Sequence, residues 1–356
     1  MMTMVIKLHA IDDMNLIERL AMYQINNPSI KYEFVSWQNA AFLIGLTHLD
    51  TISNKDVYYD YLLKIAKDNN YGLGKRIYHA DDIAIGQVYL YLYNKNPSLN
   101  FIESSQERCN YIIKNPMNKN HLMFIGKNKT DSWSWCDSLY MAPRTWIELS
   151  IVTNNFKYKD YAIEHFWLTT SYLYDENQKL FYRDSTFFTL KETNGQKVFW
   201  SRGNGWVLSG LARILTVLKP NDSKRGKFEI LFVEMSHRIK ELQLTNGGWS
   251  TSLLNPQQYI ESSGTSFFCY SIAWGINNGL LDSNKFLNTA LSAYNSIISN
   301  CIDKSGRLLC VQPVGKSPEY FEKNSSEPFG VGAFILCSTE IIKLKKKISL
   351  HDHFII

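Results

Sequence analysis

The sequence predicts an all-α fold, an (α/α)6 barrel in which six outer helices surround six inner helices. Apolar segments that begin with small or polar residues recur six times, at intervals of about 45 to 65 residues. More polar, amphipathic stretches alternate with these segments, and no linker rich in proline, glycine or serine divides the chain. An open α-solenoid would use the same helical hairpins, but six repeats without evident terminal caps favour a closed ring.

The predicted inner helices combine apolar helical periodicity with glycine and alanine, which permit close packing of helices. In chain order they are 36–45, 81–90, 137–141 and onward, 203–211, 262–270 and 328–336. The stretches between them carry charge on one face and are predicted to be outer helices: 56–67, 101–114, 158–174, 228–242 and 285–299. In a barrel the starts of the inner helices meet at one rim, where free N–H groups favour an anionic ligand.

Composition and charge narrow the possible functions. With 356 residues, 45% of them hydrophobic, we expect one domain over 1–356, with the barrel at about 12–345. The net charge of +5 is spread without a basic stripe, which argues against nucleic-acid binding and suits a small anionic substrate. No apolar run is long enough to cross a membrane, and no secretion-signal core is present. We expect a cytoplasmic monomer or homodimer, or a periplasmic protein if a leader has been removed.

The chain has none of the common metal or cofactor motifs. Its six cysteines are scattered, without a Cys-x-x-Cys pair or a Cys/His cluster at zinc spacing, so we expect buried thiols and no metal. Walker loops, dinucleotide fingerprints and nucleophile elbows are also missing from the sequence. His79 is therefore interpreted as a residue of the rim.

The most informative segment is 131–146, which reads Asp-Ser-Trp-Ser-Trp-Cys-Asp-Ser-Leu-Tyr-Met-Ala-Pro-Arg-Thr-Trp around a predicted helix start. Its central carboxylate, Asp137, has two possible roles. It could cap the helix, or indole rings could desolvate it, raise its pKa and make it a general acid. The residues that would form an indole wall are Trp133, Trp135 and Trp146, and Arg144 would oppose the shift if it lay close.

Three further helix starts carry candidate groups. Asp82, next to Asp81, is either a solvated or capping residue or the partner carboxylate of Asp137. Arg202 precedes Gly-Asn-Gly-Trp; it either forms a fork to a carboxylate or belongs to a structural turn. Trp249 follows a Gly-Gly turn and is predicted to stack on a sugar ring, whereas Glu261 is interpreted as a helix cap.

At these residues the chain resembles the unsaturated glycuronyl hydrolases, in particular the unsaturated rhamnogalacturonyl hydrolases of glycoside hydrolase families 105 and 88. The resemblance rests on Trp-Cys-Asp137-Ser-Leu-Tyr-Met, Trp-Ser-Arg202-Gly-Asn-Gly-Trp, Asp81-Asp82 and Glu261-Ser-Ser-Gly-Thr, in that family's order over about 30–340. It implies an (α/α)6 barrel, no metal or organic cofactor, and an oligosaccharide substrate that ends in a 4,5-unsaturated uronic acid.

The resemblance also implies an unusual reaction and assigns roles. Asp137 protonates C4 of the vinyl ether and activates the water that adds at C5, assisted by Asp82; the hemiketal then opens and the glycosidic bond breaks. The predicted substrate-binding residues are His79, Trp133, Trp135, Met141, Arg144, Arg202, Asn204, Trp206 and Trp249.

One departure from the family pattern and two rival functions remain open, and a third function is argued against. Some relatives carry a histidine in the loop before Arg-Gly-x-Gly-Trp; here that loop is 181–186, and Arg183 or Asp184 stands in its place. One rival is a conventional inverting glycosidase that uses Asp82 and Asp137 as base and acid. A helical-repeat binding scaffold is the non-enzymatic rival. A sugar epimerase on this barrel would need paired histidines, and the scattered ones argue against it.

Overall fold

The computed structural model describes residues 2–117, 122–124 and 129–353, with side chains for 12–117, 122–124 and 129–350. Within this part of the chain six inner helices form a ring, each contacting the next and the last contacting the first. The third of these helices is broken into two pieces. They are α2 (Trp37–Asp50), α4 (Gly86–Lys95), α6 (Ser138–Met141) with α7 (Pro143–Thr153), α9 (Ser201–Val217), α11 (Ser262–Asn277) and α13 (Pro328–His353).

Six outer helices alternate with the inner ones and pack against them. They are α1 (Met2–Asn26), α3 (Val57–Asp68), α5 (Glu103–Lys114), α8 (Phe156–Leu173), α10 (Arg225–Glu241) and α12 (Ser283–Cys301). The inner helices are buried almost all round; every residue of α9 from 201 to 215 is buried, whereas α3 buries only one stripe. The predicted (α/α)6 barrel is confirmed.

Glycine closes the ring where the first inner helix meets the last. A Cβ on Gly332 of α13 would lie 2.2 Å from the carbonyl oxygen of Ala41, and one on Gly45 of α2 would lie 2.6 Å from that of Gly332. No side chain fits at these distances, so the two backbones are in direct contact. The small residues therefore permit helix packing, as the sequence predicts, and favour the closed barrel over an open solenoid.

Three inner helices differ from the prediction, two in where they begin and one in being interrupted. A short 3-10 helix, Ala80–Ile83, precedes α4, which begins at Gly86 rather than at 81. Helix α6 ends at Met141, and α7 resumes with Pro143 in its first turn. Helix α9 begins at Ser201, so the Arg-Gly-Asn-Gly run lies inside its first turns and not in a preceding turn.

Between α8 and α9 lies an antiparallel hairpin of two short strands, β1 (Tyr174–Asp175) and β2 (Leu180–Phe181). The chain after β2 returns to the rim through a 3-10 helix, Ser185–Phe187, and a third such helix, Leu99–Phe101, precedes α5. Among the described residues, no helix combines the length and apolarity that a bilayer crossing requires.

Candidate active site

Asp137 lies directly before α6, with 9% of its surface exposed. Among the described residues its carboxylate accepts no capping hydrogen bond from α6, although its position is that of an N-cap. Burial raises the pKa of Asp137, and the positive charges of Arg183 and Arg202 oppose that rise. The side chain thus has the environment of a proton-holding carboxyl rather than of a helix cap.

The loop after β2 brings Arg183 to Asp137. Trp135 and Asp184 form an antiparallel bridge, and the amide of Cys136 donates to the carbonyl oxygen of Arg183 at 2.8 Å. The guanidinium Nε of Arg183 lies 3.8 Å from Oδ2 of Asp137. Asp184 is fully buried; it accepts from the guanidinium of Arg183 and from the amide of Thr186. Of the two residues predicted to replace the loop histidine, Arg183 is therefore the one beside the acid.

Asn204 anchors this loop to α9. Its side-chain oxygen accepts from the amide of Phe181 at 2.7 Å, and its side-chain nitrogen donates to the carbonyl oxygens of Phe181 and Trp200 at 3.0 and 3.1 Å. The side chain is completely buried. These contacts make Asn204 a residue that positions the loop, and they use both ends of its amide.

The two adjacent carboxylates have different environments. Asp82 accepts hydrogen bonds from the backbone amide of Arg76 at 2.7 Å and from its guanidinium. Asp81 lies in the field of Asp137: burial raises its pKa to about 7, Arg76 opposes the rise, and the charges of Asp137 and Asp82 add to it. Asp81 therefore shares an electrostatic environment with Asp137, whereas Asp82 is held by a cation.

His79 lies between these carboxylates and an indole ring. Its Nδ1 accepts from the amide of Asp81 at 3.3 Å, and its ring lies 4.8 Å from that of Trp135. Burial lowers the pKa of His79 to about 4, and the charges of Arg76 and Arg183 act in the same direction. The imidazole is therefore neutral near pH 7 and leaves Nε2–H as a donor.

Arg202 is buried and held by main-chain oxygens. Its guanidinium donates to the carbonyl oxygens of Gln312 and Pro313 and lies 4.0 Å from Glu261. The Nε of Arg202 is buried without a hydrogen-bond partner among the described residues. The guanidinium that was predicted to form a fork to a carboxylate thus donates to carbonyl oxygens of the segment before α13, while its positive charge still acts on Asp137.

The tryptophans of segment 131–146 separate into two groups. Trp135 contacts His79 at the rim. Trp133 and Trp146 pack instead on Tyr161 of the outer helix α8, at centroid distances of 6.1 and 4.3 Å. The structure thus places one indole of the predicted wall beside His79 and packs the other two against the outer helix α8.

The remaining apolar residues that were predicted to contact substrate are all buried. Trp206 is buried and packs on Tyr140 and Phe267 inside the ring, and Met141 is also buried. Trp249 is buried; its indole N–H donates to the carbonyl oxygen of Ile239 at 3.0 Å, and its ring packs on Phe268.

Two predicted polar residues have local structural partners. Arg144 forms an ion pair with Glu148 at 3.1 Å within α7, so Arg183 and Arg202, and not Arg144, are the cations that act on Asp137. Glu261 accepts from the amides of Ser263 and Gly264, which is the helix cap that the sequence predicts.

Three residues of the site, Arg76, Gln312 and Asp81, are not among the site residues that the sequence predicts. Arg76 holds Asp82 and acts on Asp81 and His79, and Gln312 holds Arg202. No motif marks either residue, and Gln312 is separated from Arg202 by 110 positions. Asp81 stands beside Asp82 in the sequence, but adjacency along the chain does not say which of the two carboxyl groups has its pKa raised by the charge of Asp137.

The assembled site contains two carboxyl groups whose pKa is raised by burial, a neutral histidine, an indole and two guanidinium groups. Such a set can hold a proton near neutral pH, deliver it, and bind an anionic group nearby. Among the described residues no group of three or more His, Cys, Asp or Glu side chains is arranged to hold a metal ion.

Comparison with known proteins gives consistent results. The chain is 37% identical over 336 residues to an unsaturated 3S-rhamnoglycuronyl hydrolase of Formosa agariphila, covering 91% of this chain and 89% of the relative. It is 33% identical over 326 residues to a protein of the same name from an Alteromonas species, covering 86% and 77%. A glycosyl hydrolase family 88 structure from Bacteroides vulgatus matches with a TM-score of 0.85 and 27% identity, over 94% of this chain and 99% of that one.

The match to a family model identifies the chain. The glycosyl hydrolase family 88 model matches residues 10–345. The predicted resemblance and the prediction of a glycoside hydrolase are both confirmed. This chain belongs to glycosyl hydrolase family 88.

Proposed function

We propose that this hydrolase removes a 4,5-unsaturated uronic acid from the non-reducing end of oligosaccharides that a polysaccharide lyase has released. The buried, uncapped carboxyl of Asp137 carries the proposal, because protonation of an alkene carbon requires a carboxylic acid, and burial raises the pKa of Asp137 and so favours its protonated form. The names of the two curated relatives, both unsaturated rhamnoglycuronyl hydrolases, support a rhamnose-linked substrate.

In the proposed mechanism Asp137 donates its proton to C4 of the vinyl ether. Positive charge then develops at C5 and is quenched when water adds there, its proton passing to the Asp137 carboxylate. The resulting hemiketal opens, and the bond to the leaving sugar breaks without attack at the anomeric carbon. One carboxyl group thus serves as acid and then as base, unlike the carboxylate pair of ordinary glycosidases.

We assign the assisting carboxylate to Asp81 in preference to Asp82, the residue predicted from sequence. Asp82 is held by the backbone and guanidinium of Arg76. Asp81 has its pKa raised to about 7 by burial, with the charge of Asp137 contributing. Two carboxyl groups coupled in this way share protons, and a charge on one keeps the other protonated.

Arg183 would bind the substrate and limit the pKa of the acid. Its Nε is buried, lacks a hydrogen-bond partner among the described residues, and lies 3.8 Å from Asp137. A substrate carboxylate or another anionic group near C5 would satisfy this donor. Trp135 and His79 would then contact the sugar from the opposite side as an apolar face and a neutral donor.

A surface cavity of about 440 Å³ is lined in part by Asp82 and would give room for the leaving sugar. Trp37 and the cations of Lys31, Lys75 and Arg76 contribute to its lining. An aromatic ring with nearby positive charge suits an anionic oligosaccharide. The single domain, the cytoplasmic location and the choice between monomer and homodimer stay predictions.

The proposal is tested by incubating the protein with lyase-digested ulvan, pectin and chondroitin and following the ultraviolet absorbance of the conjugated enoate. We expect the band to decay with at least one substrate, and Asp137→Asn to slow the decay by about 10²–10⁴-fold. Asp160→Asn, an exposed position on α8, is the matched control and should keep full activity.

Two results would contradict the proposal. If intact polysaccharide is cleaved while the enoate band persists, the protein is a conventional glycosidase. If no substrate is turned over and Asp137→Asn behaves like the wild type, the barrel is a binding scaffold. Equal thermal unfolding temperatures of the variants ensure that lost activity is not lost folding.

A further inference from the structure

A second cavity lies away from the site described above, between the end of α12 and the segment before α13. It has a volume of about 310 Å³ and is lined by aromatic, amide and thiol side chains. Tyr320, which is 79% exposed, belongs to its lining, so the cavity is open to solvent. Two cysteines, Cys301 and Cys310, line the same cavity.

The two thiols are placed together by a short antiparallel connection. Ile302 pairs with Leu308, and the amide of Leu309 donates to the carbonyl oxygen of Cys301 at 2.6 Å. This connection places Cys301 and Cys310 in the lining of the same cavity, where the Sγ of Cys310 donates to the carbonyl oxygen of Asn300 at 3.8 Å and no disulfide joins the two cysteines. Cys310 also has a φ of 59°, a left-handed conformation that L-residues adopt at a cost and that clusters at functional positions.

The cavity distinguishes the two sulfurs electrostatically. The side chain of Cys301 lowers the pKa of Cys310, burial opposes this, and the charge of Lys323 in the same cavity acts in the lowering direction. The side chain of Cys310 and burial raise the pKa of Cys301. Cys310 is therefore the sulfur that ionises first, with Cys301 as its proton-bearing neighbour.

We propose that Cys301 and Cys310 form a dithiol site that hydroperoxides oxidise to a disulfide. The thiolate of Cys310 attacks one oxygen of the peroxide; the O–O bond breaks and the other oxygen leaves as water or an alcohol after taking a proton. This yields a sulfenic acid on Cys310. The thiol of Cys301 loses its proton and attacks the sulfenic sulfur, which releases water and forms the S–S bond.

The balance is two thiols and one hydroperoxide converted into one disulfide, one water and one further water or alcohol. The sulfurs lose two electrons, and the peroxide gains them. A thiol reductant reverses the reaction. The site is separate from Asp137, so it stands or fails independently of the proposed hydrolase activity.

The chain supplies an internal control. Cys269 of α11 and Cys337 of α13 also interact through their thiols, both are completely buried, and neither lines this cavity. The thiols of the first pair are buried as well, with 4% exposure at Cys310 and none at Cys301. Of the two pairs, however, only Cys301 and Cys310 line a cavity that opens to solvent and that also contains Lys323. We expect Cys269 and Cys337 to stay reduced.

The test treats the reduced full chain with hydrogen peroxide and examines it by intact mass spectrometry, thiol labelling after denaturation and peptide mapping. We expect a mass lower by about 2 Da and a Cys301–Cys310 linked peptide, both reversed by dithiothreitol. In Cys301→Ser, Cys310 should stop at the sulfenic acid, about 16 Da heavier and trapped by dimedone. In Cys310→Ser, Cys301 should remain unmodified.

Two outcomes would overturn the proposal. One is a wild-type protein whose six cysteines all remain labelled after peroxide treatment that oxidises free glutathione completely. The other is equal oxidation of Cys269 and Cys337, which would show that the cavity and Lys323 confer no selectivity.

Discussion

Replacing Asp81 with asparagine should stabilise the protein at alkaline pH, and the size of the effect follows from the environment of this carboxyl. Its pKa is about 7 in the folded state against an ordinary value of 3.8, because burial disfavours the ionised form. The folded state therefore binds the proton more tightly than the unfolded chain does. The contribution of Asp81 to the free energy of unfolding is therefore greatest below about pH 4 and falls as the pH rises towards 7.

The magnitude follows from the shift of about 3 pKa units, each equivalent to roughly 1.4 kcal/mol, or about 4 kcal/mol in full. Between pH 5 and pH 8 the free energy of unfolding of the wild type should fall by roughly 2–3 kcal/mol because of Asp81. In Asp81→Asn this part of the decrease should be absent. The side chain is 13% exposed, so solvent screening reduces the figure only modestly.

The assay is urea unfolding of both proteins at pH 5 and pH 8. Asp82→Asn is the matched control: it weakens the bonds to Arg76 and should destabilise the protein by about 1–2 kcal/mol. Substitution of two adjacent aspartates is thus expected to change the free energy of unfolding in opposite directions at pH 8. If Asp81→Asn destabilises the protein more at pH 8 than at pH 5, the assignment of the raised pKa is refuted.

The remaining predictions concern catalysis and packing. Arg183→Gln removes a charge that opposes the raised pKa of Asp137, so the alkaline limb of kcat/KM should move to higher pH by about 1 unit. Asp81→Asn removes a negative neighbour and should move that limb to lower pH; a common direction for both variants would contradict the charge argument. Gly332→Ala should destabilise by about 2–3 kcal/mol in urea unfolding, since its Cβ would meet backbone 2.2 Å away. Gly226→Ala on outer helix α10, with open space around its Cβ, should instead stabilise by about 0.5–1 kcal/mol, and equal effects would argue against the backbone contact of α2 with α13.

Much of the fold can be predicted from the sequence, because helix periodicity and the positions of glycines are local properties of the chain. The predicted outer stretch 285–299 falls within Ser283–Cys301, and the inner stretch 262–270 begins α11 at its first residue. Asp137 is likewise recognisable, because its neighbours along the chain make an unusual cluster at a helix start. The cap formed by Glu261 follows from sequence for the same local reason.

What stays hidden in the sequence is the direction in which side chains point and which distant residues meet. Trp133 and Trp135 are two positions apart, yet one packs on Tyr161 of α8 and the other on His79. Asp81 and Asp82 are adjacent, yet Arg76 holds only the second by direct hydrogen bonds. Arg183 reaches Asp137 because the loop after β2 pairs with the chain before α6, a contact that no local pattern encodes.

The chain alone determined a closed ring of helices with one distinguished carboxyl at its rim, since composition, period and capping preferences act over a few neighbouring residues. Tertiary structure decided which charges surround that carboxyl, which of two adjacent aspartates has its pKa raised in the field of Asp137, and which indoles are buried elsewhere. Electrostatic interaction and desolvation depend on distance in space, and residues such as Arg202 and Gln312 come together only when the barrel closes.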